Sequence, residues 1–316
     1  MNLALIGPGA MGHEHAKAFT KLDGVVPYLV AGPAQARPAE FGLRHGFLGW
    51  TLDPLEAITD PAVDVVVIAS PNAEHAEQTR AALRAGKHVL CEIPVALSLA
   101  DAEDLARLAA VSPKVVMAAH LSRYYPPVRD FSRRIEARDL TLRHLVCAMG
   151  TDKRENRNHA GQLRDWVDDL LWHHGLHVLD VALHLFGSDQ LVDATMTRGG
   201  RHPDHGGLMD LSIALRFASG ALATVALTYN ANAQFTRYTV VADEQFTELA
   251  QDAPGVGRTD LTGGRPFADL VDAQAAGFLT ACLSGAPSPI AIEDVLPAMR
   301  LVDSLSRTDR YPADRA

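Results

Sequence analysis

The stretch Asn2-Leu3-Ala4-Leu5-Ile6-Gly7-Pro8-Gly9-Ala10-Met11-Gly12 decides the fold. Asn2 to Ile6 is mostly apolar and reads as a short strand. It runs straight into a G-x-G-x-x-G turn, after which Ala16, Phe19 and Leu22 recur one helical turn apart. Strand, glycine turn and helix form the setting in which this motif holds a dinucleotide. Gly7 permits the tight turn, Gly9 lets backbone approach a pyrophosphate, and Gly12 lets the helix lie close to the strand. The helix start at Ala10 and Met11 offers unpaired N–H groups and partial positive charge to phosphate.

The alternation continues. Val25–Ala31 is a second strand. Val63–Ala69 is nearly all apolar, as a strand buried on both faces must be, and Lys87–Cys91 follows a helix ending at Gly86. The βαβα order predicts a doubly wound parallel sheet, a Rossmann domain over residues 1–120. The second strand leads into Ala31-Gly32-Pro33-Ala34-Gln35-Ala36-Arg37, which contains no acid to bond an adenosine ribose. Arg37 would welcome a 2′-phosphate that an acid would repel, so NADP is favoured over NAD.

From about residue 121 the pattern changes. Leu142–Met149, Leu191–Thr197, Leu208–Phe217, Ala221–Tyr229 and Thr236–Ala242 read as strands, and Phe217-Ala218-Ser219-Gly220-Ala221 reads as a hairpin turn. Met209, Leu211, Ile213, Leu215 and Phe217 alternate with smaller or polar residues, so one sheet face is buried. Residues 121–316 are therefore expected to form an α+β domain on an open, mainly antiparallel sheet, serving substrate binding and oligomerisation. Ala214, Ala223, Thr224 and Ala226 are assigned to the other face, which suits a second subunit and predicts a homodimer. Gln251–Pro266 reads as a surface loop, Phe267–Leu283 and Glu293–Ser306 as helices, and Thr308–Ala316 as a loosely held tail.

Composition limits the partners. The chain has 316 residues, 47% hydrophobic and 21% charged, with a formal net charge of −9, which disfavours nucleic acid and anionic membranes. No apolar run reaches spanning length, and the first residues lack the basic flank of a signal peptide. Three widely spaced cysteines, Cys91, Cys147 and Cys282, form no disulfide framework, so a reducing cytoplasm is expected.

A second stretch carries chemistry. Leu170-Leu171-Trp172-His173-His174-Gly175-Leu176-His177-Val178-Leu179-Asp180 sets polar groups in an apolar helix. His173, His177, Asp180 and His184 fall at i, i+4, i+7 and i+11, on one face. They can be metal ligands, acid–base groups or core residues satisfied by hydrogen bonds. A zinc site would need a third fixed ligand, whereas nicotinamide chemistry needs only a base with a pKa near working pH. No metal is therefore expected. His184 reads as a core residue, and His174 as either core or site.

The segments Gly7–Gly12 with His15, Ser70-Pro71-Asn72-Ala73-Glu74-His75, Ala85–Pro94 ending in Glu92-Ile93-Pro94, and Gly175-Leu176-His177-Val178-Leu179-Asp180 together resemble the Gfo/Idh/MocA oxidoreductases. The matches run through both domains in the family's order. The resemblance implies cofactor contacts from Ser70, Pro71, Asn72, His75, Glu92 and Pro94 in addition to the glycine turn. Where most of the family has lysine and aspartate, this chain has Ile93 and His173, which argues against a plain polyol. Residues 119–187 are similar, more narrowly, to the family's 4-carboxy-2-hydroxymuconate semialdehyde dehydrogenases. That similarity implies oxidation of a cyclic hemiacetal to 2-pyrone-4,6-dicarboxylate.

On this reading His177 is the base for the hydroxyl proton, His173 shares or orients the hydroxyl, and Asp180 fixes the His177 tautomer. The implied substrate carries carboxylates, so Arg123, Arg154, Arg157 and Arg164 are candidate forks for them, with His174, Tyr229, Asn156 and Asn158 as further polar contacts. The alternatives are an enzyme acting on a sugar or sugar acid, a cofactor-binding regulator without turnover, and a zinc hydrolase or lyase.

Overall fold

The computed structural model describes residues 1–155, 167–243, 245–250, 259–260, 262–263, 265–308 and 310–311. The chain gathers into two compact units. The first comprises Met1–Leu121 and Pro266–Leu296, and the second the described residues of Ser122–Arg265 and Pro297–Ala316.

The first unit opens with β1 (Asn2–Ile6), α1 (Ala10–Phe19), β2 (Val26–Ala31), α2 (Pro38–His45), β3 (Gly49–Thr51) and α3 (Pro54–Thr59). It continues with β4 (Val65–Ile68), α4 (His75–Arg84), β5 (His88–Cys91), α5 (Leu99–Ala110) and β6 (Val116–Ala118). The strands make one sheet of order β3-β2-β1-β4-β5-β6, parallel throughout, as the alternation requires. β4 is buried along its whole length, which explains why its sequence shows no polar alternation.

The second unit holds α6 (Pro126–Glu136), β7 (Leu142–Asp152), α7 (Leu176–Phe186), β8 (Leu191–Arg198), β9 (Asp210–Phe217), β10 (Leu222–Thr228), β11 (Asn230–Ala242), β12 (Gln245–Ala250) and β13 (Thr259–Asp260). Its sheet has the order β13-β12-β11-β7-β10-β9-β8-β14, where β14 is Arg310–Tyr311. The sheet is mainly antiparallel. The exceptions are β7 with β10 and β12 with β13, which pair in parallel. The expected hairpin forms, with the Gly220 N–H donating to the Phe217 carbonyl at 2.9 Å and Gly220 at φ 83°.

Alternation sets the faces. Leu211, Ile213, Leu215 and Phe217 are buried, while Ser212, Ala214 and Arg216 are exposed. One assignment changes. Ala223 lies on the buried face, because side chains alternate along β10 and its inward set is Ala223, Val225 and Leu227. The open face is carried instead by Leu222, Thr224 and Ala226.

Two further stretches depart from expectation. Part of the expected loop, Thr259–Asp260, adds β13 to the sheet, and Arg310–Tyr311 of the expected tail pairs with β8. Moreover, α8 (Phe267–Ser284) belongs to the first unit, although the 121–316 expectation put it in the second. The helix α1 offers an apolar flank that needs cover. Phe278 of α8 meets Phe19 edge-on at 6.3 Å, and Lys21 pairs with Asp272 at 2.7 Å. α9 (Ile292–Thr308) then carries the chain from one unit into the other. No helix among the described residues is long and apolar enough to cross a membrane. Cys91, Cys147 and Cys282 are buried free thiols. Burial pushes Cys91 and Cys282 up to about 12 and Cys147 higher still, so none is a ready nucleophile.

Candidate active site

In the first unit the glycine turn has a division of labour. Gly7 sits at φ 97° and its N–H donates to the Ala31 carbonyl at 2.9 Å; a Cβ there would run into the Ala69 carbonyl. A Cβ on Gly12 would run into the Gly7 carbonyl, so Gly12 is what lets α1 start tight against β1. Gly9 differs, since a Cβ on it would meet nothing within 4 Å. It also stands at the N-terminus of α1, where no side chain caps the first N–H groups. Ala10 and Met11 form the first turn behind it. An open space in front of uncapped amides is the cradle a pyrophosphate needs, so these residues fit a dinucleotide. Gly9→Val is therefore expected to fold with an unchanged melting temperature yet bind NAD(P)H about tenfold or more weakly, as read by nucleotide fluorescence titration.

The expected cofactor residues divide into two kinds. Arg37 is exposed, at φ 50°, with Glu40 as its neighbour at 3.5 Å. Ser70, Pro71 and Asn72 are partly exposed at the end of β4, with the Ser70 hydroxyl donating to Gln78 Oε1 at 2.7 Å. His75, by contrast, is 1% exposed, its Nδ1 lying 2.8 Å from the Pro94 carbonyl and its Nε2 2.9 Å from the Ser70 carbonyl. Both ring edges are thus taken, and His75 ties two loops together instead of presenting a nitrogen to a ligand. Glu92 is likewise engaged, with Oε1 at 2.6 Å from Nε2 of buried His15. Pro94 is buried.

In the second unit the histidine segment is not one regular helix. Asp169 Oδ1 accepts the N–H groups of Leu171 and Trp172, both at 2.9 Å, and caps the segment's start. Leu171–Gly175 then forms a π turn, with the Gly175 N–H donating to the Leu170 carbonyl five residues back at 3.0 Å, before α7 begins. Such wide turns recur at functional sites because they re-aim side chains. The rings of His173 and His174 lie 4.6 Å apart, with His177 at 5.9 Å from the first and 6.3 Å from the second. His174 Nδ1 is 2.9 Å from the hydroxyl of buried Tyr229. Burial, reinforced by the charges of His173, His177 and Lys153, holds His174 well below the usual histidine range. It is neutral at working pH. His184 is half-buried on the same helix.

The single-face stripe expected of His173, His177, Asp180 and His184 is thereby revised. The π turn brings His174 into the cluster. Asp180 is directed elsewhere, accepting from Arg123 Nη2 at 2.7 Å and Nε at 2.9 Å. The pair is buried, with side chains 13% and 2% exposed. A guanidinium taken this far from water needs a carboxylate, and Asp180 supplies it to the Nε and Nη2 edge of the Arg123 fork. Arg154 is more than half exposed and bonds Asp152 at 2.5 and 3.0 Å, holding that carboxyl down to about 2. Arg157, Arg164, Asn156 and Asn158 lie outside the described residues.

Two groups near the cluster escaped sequence reasoning. The Lys153 N–H donates to the Tyr229 carbonyl at 2.9 Å, and its ammonium lies 3.7 Å from Asp168, which precedes the π turn. The only signal in sequence was adjacency to Arg154. Among the described residues no three His, Cys, Asp or Glu side chains are grouped to hold a metal, so the zinc hydrolase or lyase reading has no ligand set there.

A dinucleotide turn on a parallel sheet, with an imidazole cluster in a second unit, defines a nicotinamide-dependent oxidoreductase. Residues 1–120 match the model described as "Oxidoreductase family, NAD-binding Rossmann fold", and residues 126–254 match "Bacterial oxidoreductases, C-terminal". The chain belongs to the Gfo/Idh/MocA family of NAD-dependent oxidoreductases acting on CH–OH groups, and the regulator reading is set aside. It is 34% identical over 230 residues to the 4-carboxy-2-hydroxymuconate-6-semialdehyde dehydrogenase of Sphingobium sp. SYK-6, covering 73% of this chain and 72% of that protein. It is 31% identical to the levoglucosan dehydrogenase of Pseudarthrobacter phenanthrenivorans, over 73% of this chain and 68% of the relative. In fold it is similar to a solved levoglucosan dehydrogenase in complex with NADH, with a TM-score of 0.82 at 21% identity and full coverage of both chains.

Proposed function

We propose that this enzyme oxidises the cyclic hemiacetal of 4-carboxy-2-hydroxymuconate semialdehyde to 2-pyrone-4,6-dicarboxylate, with NADP preferred to NAD. The observation that carries the reading is the cluster of three imidazoles on the π turn and the start of α7, beside the Tyr229 hydroxyl. Oxidising the hemiacetal removes a hydride from carbon and a proton from the hydroxyl, leaving the lactone carbonyl. The nicotinamide, when held at the Gly7–Gly12 turn, supplies the hydride acceptor. His177 takes the hydroxyl proton. His173, one ring away, orients that hydroxyl. His174, kept neutral, and Tyr229 form a polar edge for the ring. His75 and the His15–Glu92 pair position the loops that follow β4 and β5.

The identity to a named semialdehyde dehydrogenase supports the substrate class. The lack of an acid after β2, with exposed Arg37 a few residues on, supports NADP. The likeness to levoglucosan dehydrogenase favours a second reading, a cyclic sugar as substrate. One assay separates them. With the ring-fission semialdehyde, the purified protein is expected to reduce NADP with a kcat/KM above that for NAD and to release the pyrone dicarboxylate. Turnover of levoglucosan or inositols alone would reverse the substrate assignment. We further propose a homodimer in which the open face bearing Ala214, Thr224 and Ala226 packs against a second copy.

A further inference from the structure

Tyr229 lies between β10 and β11, in neither strand, so bonds from its neighbours set where its hydroxyl goes. Its backbone is bracketed. The Tyr229 N–H donates to the Met209 carbonyl at 2.7 Å, and its own carbonyl accepts from the Lys153 N–H at 2.9 Å. Met209 belongs to an extension of the β8–β9 hairpin. There the Gly199 N–H bonds the Asp210 carbonyl at 2.8 Å, the Met209 N–H the Gly200 carbonyl at 2.9 Å, and the His202 N–H the Gly207 carbonyl at 2.8 Å. From this extension the His202 side chain reaches across to the residue after Lys153, its Nε2 2.9 Å from the Arg154 carbonyl. A frame therefore closes around Tyr229, running from Met209 through the hairpin and His202 to Arg154, Lys153 and back.

The chemistry of the ring fixes the direction of this link. His202 Nδ1 accepts the Asp204 N–H at 3.2 Å. The proton of the neutral ring is then on Nε2, which donates to the Arg154 carbonyl. His205 is held in the same way, with Nδ1 accepting the Gly207 N–H at 3.1 Å. Its ring lies flat on His202, with centroids 3.9 Å and planes 6° apart. His202 is 9% exposed, so its bond to Arg154 is shielded from water and strengthened accordingly.

We propose that His202 is a positioning residue for the active site: by donating to the Arg154 carbonyl it closes the frame that holds the Tyr229 hydroxyl against His174. The inference rests on the reading above in which Tyr229 and His174 form a polar edge for the substrate ring. Its test compares the wild type with His202→Phe, which keeps the stack and removes the donor, and His202→Gln, which restores an N–H at similar reach. 2-Pyrone-4,6-dicarboxylate is titrated calorimetrically into NADPH-loaded protein, and turnover is followed with the ring-fission semialdehyde. His202→Phe is expected to weaken pyrone binding and raise KM by about threefold to thirtyfold, the worth of one buried hydrogen bond. The kcat should stay within about twofold and NADPH affinity should not change. His202→Gln should recover most of the loss. In a Tyr229→Phe background, where no hydroxyl is left to place, His202→Phe should have little further effect. Should His202→Phe fail to fold, His202→Met, similar in length and without a donor, gives the same readout. Full affinity in His202→Phe, no recovery in His202→Gln, or an undiminished loss in the Tyr229→Phe background overturns this proposal alone. No effect of Tyr229→Phe by itself, or no binding to the wild type, overturns the reading of the substrate edge and this proposal with it.

Discussion

Replacing His177 by alanine is expected to lower kcat by about 10²- to 10⁴-fold, the range typical for loss of a positioned general base. NADPH affinity and melting temperature should hold, because His177 sits at a part-exposed position and the cofactor cradle is built from Gly7, Gly9 and Gly12 in the other unit. The loss should shrink as pH rises, since hydroxide replaces the missing base. His173→Ala should cost less, because in the proposed mechanism that ring orients the hydroxyl and does not take its proton. Stopped-flow reduction of NADP measures the chemical step directly. A kcat within a factor of two or so of wild type would remove His177 from the mechanism.

The second large effect is structural. Asp180→Ala leaves the Arg123 guanidinium buried without its carboxylate. Breaking such a pair by removing one partner costs about 3–5 kcal/mol. The second unit's melting transition should fall by roughly 10 °C, and the His177 helix, which Arg123 anchors through Asp180, should lose its register. Removing both charges, as in Arg123→Met with Asp180→Leu, should restore most of the stability, because the desolvation penalty goes with the pair. Thermal melts of the three proteins decide it. A stable Asp180→Ala single variant would show that the guanidinium finds water or another acid.

These two predictions mark where sequence and structure part. The glycine turn and the all-apolar β4 were legible because both obey local rules: a tight turn admits only glycine, and a strand covered on both faces must be apolar. The alternation in β9 placed its buried face for the same reason. Ala223 was assigned to the open face together with its neighbour Thr224, but adjacent strand residues point to opposite faces, so only Thr224 lies there. Docking of α8 on α1 was invisible, since it joins residues more than 250 positions apart, such as Lys21 and Asp272.

In the site, sequence could nominate histidines but not their geometry. Helical spacing paired His173 with His177 and left His174 aside. A single π turn changes that, and it depends on the hydrogen bond from Gly175 to Leu170, which carries no sequence signature of its own. The arginines were chosen for their chemistry alone. Whether an arginine meets a ligand or an aspartate is a matter of tertiary contact, which is how Arg123 and Asp180 came to be assigned separate roles while forming one ion pair. Lys153 was passed over because β7 runs on to Asp152, beyond its expected end at Met149.

A crystal structure of the protein with NADPH and 2-pyrone-4,6-dicarboxylate tests the central claim most directly. The account predicts a ring nitrogen of His177 within hydrogen-bond distance, about 2.6–3.2 Å, of the lactone carbonyl oxygen that was the hemiacetal hydroxyl. The pyrone bound with that oxygen against another residue, and the His177 imidazole turned away from it, would contradict the account.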